Sequence, residues 1–209
     1  MSAYIKLKEI FREASLSSDI AGILHWDMST MMPSDSRNQR AEQLAYLSKL
    51  SHDKISSNEV RDLIFEAKSE ELNLKDTHNL REIEREHKLT SSVPSELVQE
   101  ISRTSAKCEG EWQDARKNSN FNLIKKSLDE LINLTKEEAG ILGKEFNLSP
   151  YEALVNKFEP GSNTQLIANV FDDLQQYLIP LIDTIIEKQK SEKILPIQYK
   201  INENQQKDI

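Results

Sequence analysis

The sequence predicts an all-α protein, a bundle of about eight to nine mostly long helices, and three observations support this fold class. Apolar residues recur at steps of three and four along most of the 209 residues, which is the spacing of one helix face. Five glycines and six prolines are few for a chain of many turns and short strands. Alternation of apolar and polar residues, typical of a half-buried strand, never extends beyond a few positions.

The first half of the chain contains five predicted helices separated by short polar breaks. Their approximate limits are Tyr4–Ala14, Asp19–Met31, Arg37–Leu50, Glu59–Glu71 and Thr77–Leu89. Pro33 and the following residues 34–36 are expected to end the second helix and to cap the third. Asp76 is expected to cap the fifth helix, because its carboxylate can accept a hydrogen bond from a free backbone N–H of the first turn.

The second half is predicted to contain longer helices. Ser95–Lys117 carries one apolar stripe, with the members Leu97, Ile101, Cys108, Trp112 and Ala115, so Cys108 is interpreted as a small core residue. Another stripe contains Ile124, Leu128, Leu131, Thr135, Ala139 and Leu142. The last helix is predicted to run from Asn163 to about Lys190. Pro180 lies inside it and is expected to kink it, because proline removes one backbone donor.

Composition excludes several classes of function. The formal net charge is −8 and no basic run is denser than Lys125–Lys126, which argues against a nucleic-acid partner. Cys108 is the only cysteine, so an internal disulfide is impossible. No segment has the roughly 18 apolar residues of a membrane span, and the first residues lack the apolar core of a signal peptide. We therefore expect a cytoplasmic protein without a membrane partner.

Few residues have the spacing of a catalytic or metal site. None of the four histidines is paired with another four residues away, so the H-E-x-x-H zinc signature is absent from the sequence. Glu84 and His87 form one E-x-x-H motif, whereas a di-iron carboxylate bundle needs two. A metal-binding bundle through these two residues stays open as a hypothesis. A packed, hydrogen-bonded His87 and an inert buried Cys108 are the favoured interpretations.

The segment "HWDMSTMMPSD" at residues 25–35 combines polar and apolar side chains at a predicted helix end. On a helix, His25, Trp26 and Asp27 point in three different directions, so they cannot form a compact triad by themselves. We expect Trp26 to pack and Asp27 to accept hydrogen bonds from a basic residue or from the next helix cap. These considerations favour a structural role for the segment over a catalytic one.

The segments "HWDMSTMMP" and "RAEQLAYLSKLSH" together resemble the start of the Taq-type thermostable zinc metallocarboxypeptidases, which carry W-D-x-x-T-x-M-P followed by an R-A-x-Q-L helix. Further along, "NLREIEREH", "VPSELVQEIS", "EWQDAR" and "YEALVNKFEPG" are similar to later family segments in the same order. The matching positions, which we interpret as structural, include His25, Trp26, Asp27, Thr30, Met32, Pro33, Arg40, Gln43, Arg81, Trp112, Tyr151, Glu159, Pro160 and Gly161. Met28, Asn156 and Phe158 depart from the family pattern, which has glutamine, aspartate and tyrosine at these positions.

The resemblance implies that the chain corresponds to the N-terminal helical part of a groove-shaped helical metallopeptidase. The family removes C-terminal residues from peptides with zinc, and its H-P-F, D-x-R-x-T, H-E-x-x-H and G-x-x-Q-D-x-H-W motifs have no counterpart in this sequence. We therefore expect no catalytic and no metal-binding residue in this chain, and no cofactor, although the full-length family uses zinc. The chain is expected to form one wall of the substrate groove and to be inactive alone.

The expected organisation is a helical domain at residues 1–190, followed by an extended connector and truncated tail at 191–209. The possible partners are a separately encoded catalytic half and a second copy of the chain, with a peptide substrate only in a completed enzyme. The alternative is a free-standing, non-catalytic helical interaction module. The two hypotheses differ in surface, because a half-enzyme should leave apolar helix faces uncovered.

Overall fold

The structure, a computed structural model, describes residues 1–193, 202 and 206. Its two compact units are Met1–Gly161 and Ser162–Ile209. Most of the predicted connector and tail at residues 191–209 lies outside the described residues, so the boundary at residue 190 stays a prediction. The described residues form eight α-helices and no strand, which confirms the all-α prediction.

The first unit contains seven helices. They are α1 (Ala3–Thr30), α2 (Arg37–Ile55), α3 (Asn58–Ala67), α4 (Leu74–Ser92), α5 (Ser95–Lys117), α6 (Asn122–Phe146) and α7 (Pro150–Phe158), with a 3-10 turn at Ser34–Ser36 between α1 and α2. In this unit α2 packs against α1 and α5, and α6 packs against α5 and α7. The second unit contains α8 (Thr164–Ser191). None of the described helices is long and apolar enough to span a bilayer.

The first helix differs from its prediction, because α1 runs without a break where two helices, Tyr4–Ala14 and Asp19–Met31, were expected. The polar residues between them remain helical. The hydroxyls of Ser17 and Ser18 donate to the backbone carbonyls of Glu13 and Ala14, four residues earlier, which allows serine to stay inside a helix. Ser17 is also buried, so packing holds the junction in helical form.

Polar caps set most helix starts. The side chains of Ser2, Ser57 and Ser149 accept hydrogen bonds from backbone N–H groups three residues later, at the starts of α1, α3 and α7. The prediction that Asp76 caps α4 is wrong. Asn73 is the cap, and its side chain accepts from the N–H of Asp76 itself, so α4 begins earlier than expected.

Four apolar clusters stabilise the first unit. The amino end of α1 packs against α3 and α4, and the carboxyl end of α1 packs against α2 and α5. A third cluster joins the ends of α4 and α5 to α6 and α7, and a fourth joins α5 to α6. Cys108 is buried in the fourth cluster, as the apolar stripe predicted. Trp112 was predicted on the same stripe, but it is 47% exposed, and its ring lies beside the guanidinium group of Arg116.

The second unit contains a long amphipathic helix that begins at the Asn163 cap, whose side chain accepts from the N–H of Leu166. The predicted helix from Asn163 to about Lys190 is therefore observed within one residue at each end. It continues through Pro180, and the hydroxyl of Thr184 donates to the Pro180 carbonyl at 2.8 Å. The kink expected at Pro180 stays a prediction.

Candidate functional site

Asp27 of the "HWD" segment binds Arg40, and this contact fastens the end of α1 to α2. The Arg40 guanidinium group donates to Asp27 Oδ2 at 2.7 Å, to the Leu24 carbonyl at 2.5 Å and to Gln43 Oε1 at 3.0 Å. The Arg40 side chain is 13% exposed and that of Asp27 is 33% exposed. Arginine suits this position, because its planar fork can bind several acceptors in fixed directions. These contacts agree with the expectation that Asp27 accepts from a basic residue.

The other two residues of the triplet lie apart from this ion pair. His25 is exposed. The expectation that Trp26 packs is wrong, because Trp26 is 63% exposed. Its backbone carbonyl accepts a hydrogen bond from the Thr30 hydroxyl at 2.7 Å. Neighbouring residues of a helix face different directions, and here the core lies on the side of Leu24 and Met28.

The methionines after the triplet contribute packing. Met28 is buried against Ala41, Leu44 and Ala106, and Met32 packs against the same cluster while half-buried. Pro33 follows in an extended conformation and begins the 3-10 turn. The departure from the family pattern at Met28 therefore places an apolar side chain in a core position.

A second ion pair fastens α2 to α5. Arg37 binds both carboxylate oxygens of Asp114, with Nη2 to Oδ1 at 3.0 Å and a still shorter contact between Nη1 and Oδ2. The hydrogen bond from Arg37 holds the pKa of the Asp114 carboxyl below its usual value. The same bond raises the pKa of Arg37. A Cβ added to Gly110 would lie 2.9 Å from Arg37 Cδ, so glycine leaves room for the arginine.

Sequence reasoning missed this pair, although "EWQDAR" was matched as a segment. One available signal was the spacing of Gly110 and Asp114, which places them on the same side of α5. A glycine inside a long helix costs stability, so it indicates a close approach by another element. The partner Arg37 could not be inferred, because nothing in the sequence shows which helix crosses α5 at this point.

The remaining resemblance positions are scattered over the first unit. Arg81 is exposed on α4. Tyr151 lines an apolar groove of about 520 Å³ between α6 and α7, together with Leu131, Ile132 and Leu154. Glu159 and Pro160 are exposed in the turn after α7, and the Glu159 N–H donates to the Val155 carbonyl. The structure does not bring these positions together with Asp27.

The turn after α7 needs the glycine that the resemblance includes. Gly161 has φ of 80°, a left-handed conformation that glycine adopts without steric cost. Its N–H donates to Asn156 Oδ1 at 3.2 Å. Asn156 stands where the family has aspartate, and its amide oxygen provides the acceptor here. A hydrogen-bond acceptor for the Gly161 N–H is therefore present at this departure.

His52 is buried and binds a backbone carbonyl. His52 Nε2 lies 2.7 Å from the Val93 carbonyl and therefore donates to it, while His52 Nδ1 lies 3.5 Å from Asp53 Oδ1. Asp53 accepts hydrogen bonds from Lys49 and Ser95, and these bonds lower the pKa of its carboxyl. A cavity of about 360 Å³ lies beside His52. Its lining includes several serine and threonine side chains and the ion pair of Glu138 with Lys157.

The E-x-x-H motif does not form a ligand pair. His87 Nδ1 lies 2.7 Å from the Ile55 carbonyl, as the packed interpretation predicted, and Glu84 forms an ion pair with Lys68. In the part of the chain that the structure describes, no three His, Cys, Asp or Glu side chains come together as a possible metal site. The described residues therefore do not fit the zinc site that the resemblance associates with the family.

The order of the matched segments and the helical architecture agree with a comparison against known families. A profile of the family described as carboxypeptidase Taq (M32) metallopeptidase matches residues 6–209. The chain belongs to this family. The match begins in α1 and extends through all eight helices.

Individual relatives agree with this assignment. Thermostable carboxypeptidase 1 of Pyrococcus furiosus is 30% identical over 177 residues, which cover 84% of this chain and 35% of that protein. Carboxypeptidase 1 of Bacillus subtilis is 27% identical over 184 residues, covering 85% of this chain and 35% of that protein. Trypanosoma cruzi metallocarboxypeptidase 1 superposes with a TM-score of 0.76 at 29% identity, covering 99% of this chain and 42% of that chain.

The chain spans only 35–38% of the length of the curated relatives that it matches. The crystal structure of BsuCP, with a TM-score of 0.84 at 23% identity, shows the same fold, and the match covers 99% of this chain and 41% of that chain. More than half of each relative therefore has no counterpart in this sequence.

Proposed function

We propose that this chain is the helical scaffold of a zinc-dependent metallocarboxypeptidase that releases C-terminal amino acids from peptides. In this proposal it forms one wall of the substrate groove and hydrolyses no peptide by itself. The observation that carries the proposal is the family match over residues 6–209, in a chain that spans about a third of the curated relatives. In this proposal the metal site and the catalytic groups belong to the region that corresponds to the rest of those relatives.

The character of the matched positions supports a scaffold role. Three of the polar residues at matched positions are joined by hydrogen bonds. Arg40 donates to Asp27, to Gln43 and to the Leu24 carbonyl. Their hydrogen bonds hold one helix against the next, which is the role expected of a scaffold. The sequence itself contains no H-E-x-x-H motif, which is the signature of a zinc peptidase of this kind.

Reconstitution tests this proposal. The chain is mixed with zinc and with the part of Bacillus subtilis carboxypeptidase 1 outside the segment that this chain matches. Release of the C-terminal amino acid from a synthetic peptide is then followed by mass spectrometry. We expect release from the mixture, its loss on addition of a chelator, and no release from either polypeptide alone.

Two results would contradict the proposal. Chelator-sensitive release by this chain alone would place the catalytic groups within it. A stable complex of the two polypeptides that releases no amino acid, when the intact Bacillus subtilis enzyme is active in the same assay, would favour the free-standing interaction module. The intact enzyme serves as the control for the zinc content and for the peptide.

A further inference from the structure

The cavity of about 360 Å³ beside His52, here called the His52 cavity, lies wholly within the first unit. Its lining comes from α1, α2, α4, α5, α6 and α7. Small-molecule sites have volumes of about 300–1,000 Å³, so this cavity fits a ligand of a few atoms rather than a length of peptide chain. Part of its lining is apolar and includes Leu89, Val98 and Leu142, and the rest is polar.

Three polar side chains of this lining form no hydrogen bond or ion pair with any other residue that the structure describes. They are Ser51 on α2 and Glu86 and Thr90 on α4, and all three are half-buried. Glu86 and Thr90 are four residues apart, so their side chains lie on the same side of α4. Polar groups that are withdrawn from bulk water need partners, so these three require water or a ligand in the cavity.

The charges of the lining favour a cation beside Glu86. Apart from His52, the lining contains three charged residues, Glu86, Glu138 and Lys157. Lys157 Nζ lies 2.6 Å from Glu138 Oε1, so these two charges compensate one another. The carboxylate of Glu86 is left without a counter-ion among the described residues, and a partly buried carboxylate is stabilised by a cationic partner.

A primary ammonium group matches these acceptors. It has three N–H donors and no acceptor, whereas a carboxylate and two hydroxyl oxygens can each accept a hydrogen bond. The apolar part of the lining has no use for a bare inorganic cation, but it can cover the hydrocarbon body of an organic one. Lys157 uses one donor on Glu138 and has others that could bind a carboxylate of the same ligand.

We propose that the His52 cavity binds a small ligand with a primary ammonium group on an apolar body, and that the ammonium group contacts Glu86. Two sources share this chemistry, a free amino acid with an apolar side chain and a simple alkyl amine. The amino acid would use Lys157 for its carboxylate, and the amine would not.

Titration of the full chain tests the proposal. Isothermal titration calorimetry measures the dissociation constants of three probes: leucine, isoamylamine, which lacks the carboxylate, and N-acetylleucine, which lacks the ammonium group. We expect leucine to bind with a dissociation constant of about 1 mM or lower. N-acetylleucine should bind at least about tenfold more weakly, because it cannot donate from a charged group to Glu86. The tighter of leucine and isoamylamine identifies the source.

Two substitutions assign the binding to this cavity. Glu86→Gln keeps the size of the side chain and removes its charge, so leucine binding should weaken at least about tenfold. Thr90→Val removes a hydroxyl at nearly constant shape and should weaken binding about two- to tenfold. The matched control is Glu82→Gln, which removes the same charge from an exposed position on α4 that pairs with Arg85, and it should change binding less than about twofold.

Circular dichroism and thermal unfolding establish that the variants are folded. Neither Glu86 nor Thr90 has a side-chain partner to lose among the described residues, so both variants should unfold close to the unaltered chain. Equal leucine binding by the unaltered chain and both variants would overturn the proposal, and so would N-acetylleucine binding as tightly as leucine. If neither leucine nor isoamylamine binds at about 10 mM, the cavity is a site for water only.

The inference goes beyond the proposed function and does not depend on it, because the titration uses this chain alone. Release of amino acids by the reconstituted mixture, without leucine or isoamylamine binding to the chain, would overturn only the cavity assignment. Binding of these probes to the chain, without release by the mixture, would overturn only the proposed function.

Discussion

Replacement of Arg40 by alanine is expected to destabilise the first unit by about 2 kcal/mol. The change removes three hydrogen bonds from one guanidinium group, to Asp27, to Gln43 and to the Leu24 carbonyl. A hydrogen bond to a charged group contributes about 1.5–3 kcal/mol to the free energy of unfolding. The full range would apply to the contact with Asp27 only if that contact were shielded from water. Because the Asp27 side chain is 33% exposed, water replaces part of the lost interaction.

Two further substitutions refine the expectation. Arg40→Lys should cost about 1 kcal/mol, because an ammonium group keeps the charge but cannot serve the three acceptors in their present directions. Combining Arg40→Ala with Asp27→Asn should cost less than the sum of the single changes, with a coupling of about 1 kcal/mol. The control is Arg12→Ala. Arg12 pairs with Glu9 on the surface, where both side chains are more than half exposed, and its loss should stay within about 0.5 kcal/mol.

The assay is urea unfolding at pH 7 and fixed ionic strength, followed by far-UV circular dichroism, with hydrogen exchange to assign the change to the first unit. The reasoning is refuted if Arg40→Ala costs no more than Arg12→Ala. It is also refuted if the double-mutant cycle shows no coupling, since the Arg40–Asp27 contact would then contribute nothing measurable.

Three other predictions follow from the packing and the second ion pair. Leu142→Ala, at a side chain 1% exposed, should cost about 2–5 kcal/mol in urea unfolding, whereas Phe158→Ala, at 82% exposure, should stay within about 0.5 kcal/mol. The pKa of the Asp114 carboxyl is lower in the folded state than its ordinary value, because Arg37 binds the ionised form. The Arg37 pair therefore stabilises the protein when the pH is above the pKa of Asp114 in the unfolded state. This stabilisation is lost as the pH falls through the pKa of Asp114 in the folded state. Asp114→Asn should therefore reduce the loss of stability on acidification below about pH 4, as measured by unfolding at several pH values. Asn147 has φ of 53°, so Asn147→Ala should cost about 1 kcal/mol in thermal unfolding, and equal stability would contradict this reasoning.

The sequence predicted where several residues of the candidate site lie along the helices, but not which residues they contact. The sequence placed Asp27 at a helix end and expected a basic partner, and the structure supplies Arg40, thirteen residues later. The ion pair of Arg37 with Asp114 joins residues 77 positions apart. Such a pair depends on how two helices cross, and the spacing within one helix contains no information about that crossing.

By itself, the sequence determined that the chain is helical and which family it resembles. Helical spacing of apolar residues, scarce glycine and local caps act within a few residues, so these features could be read without a tertiary structure. Only the tertiary structure decided which face of each helix is covered. Trp26 and Trp112 have apolar side chains at positions expected to pack, and both are exposed because no described element lies against them closely enough to bury them. Burial depends on distant parts of the chain, and a local pattern cannot specify it.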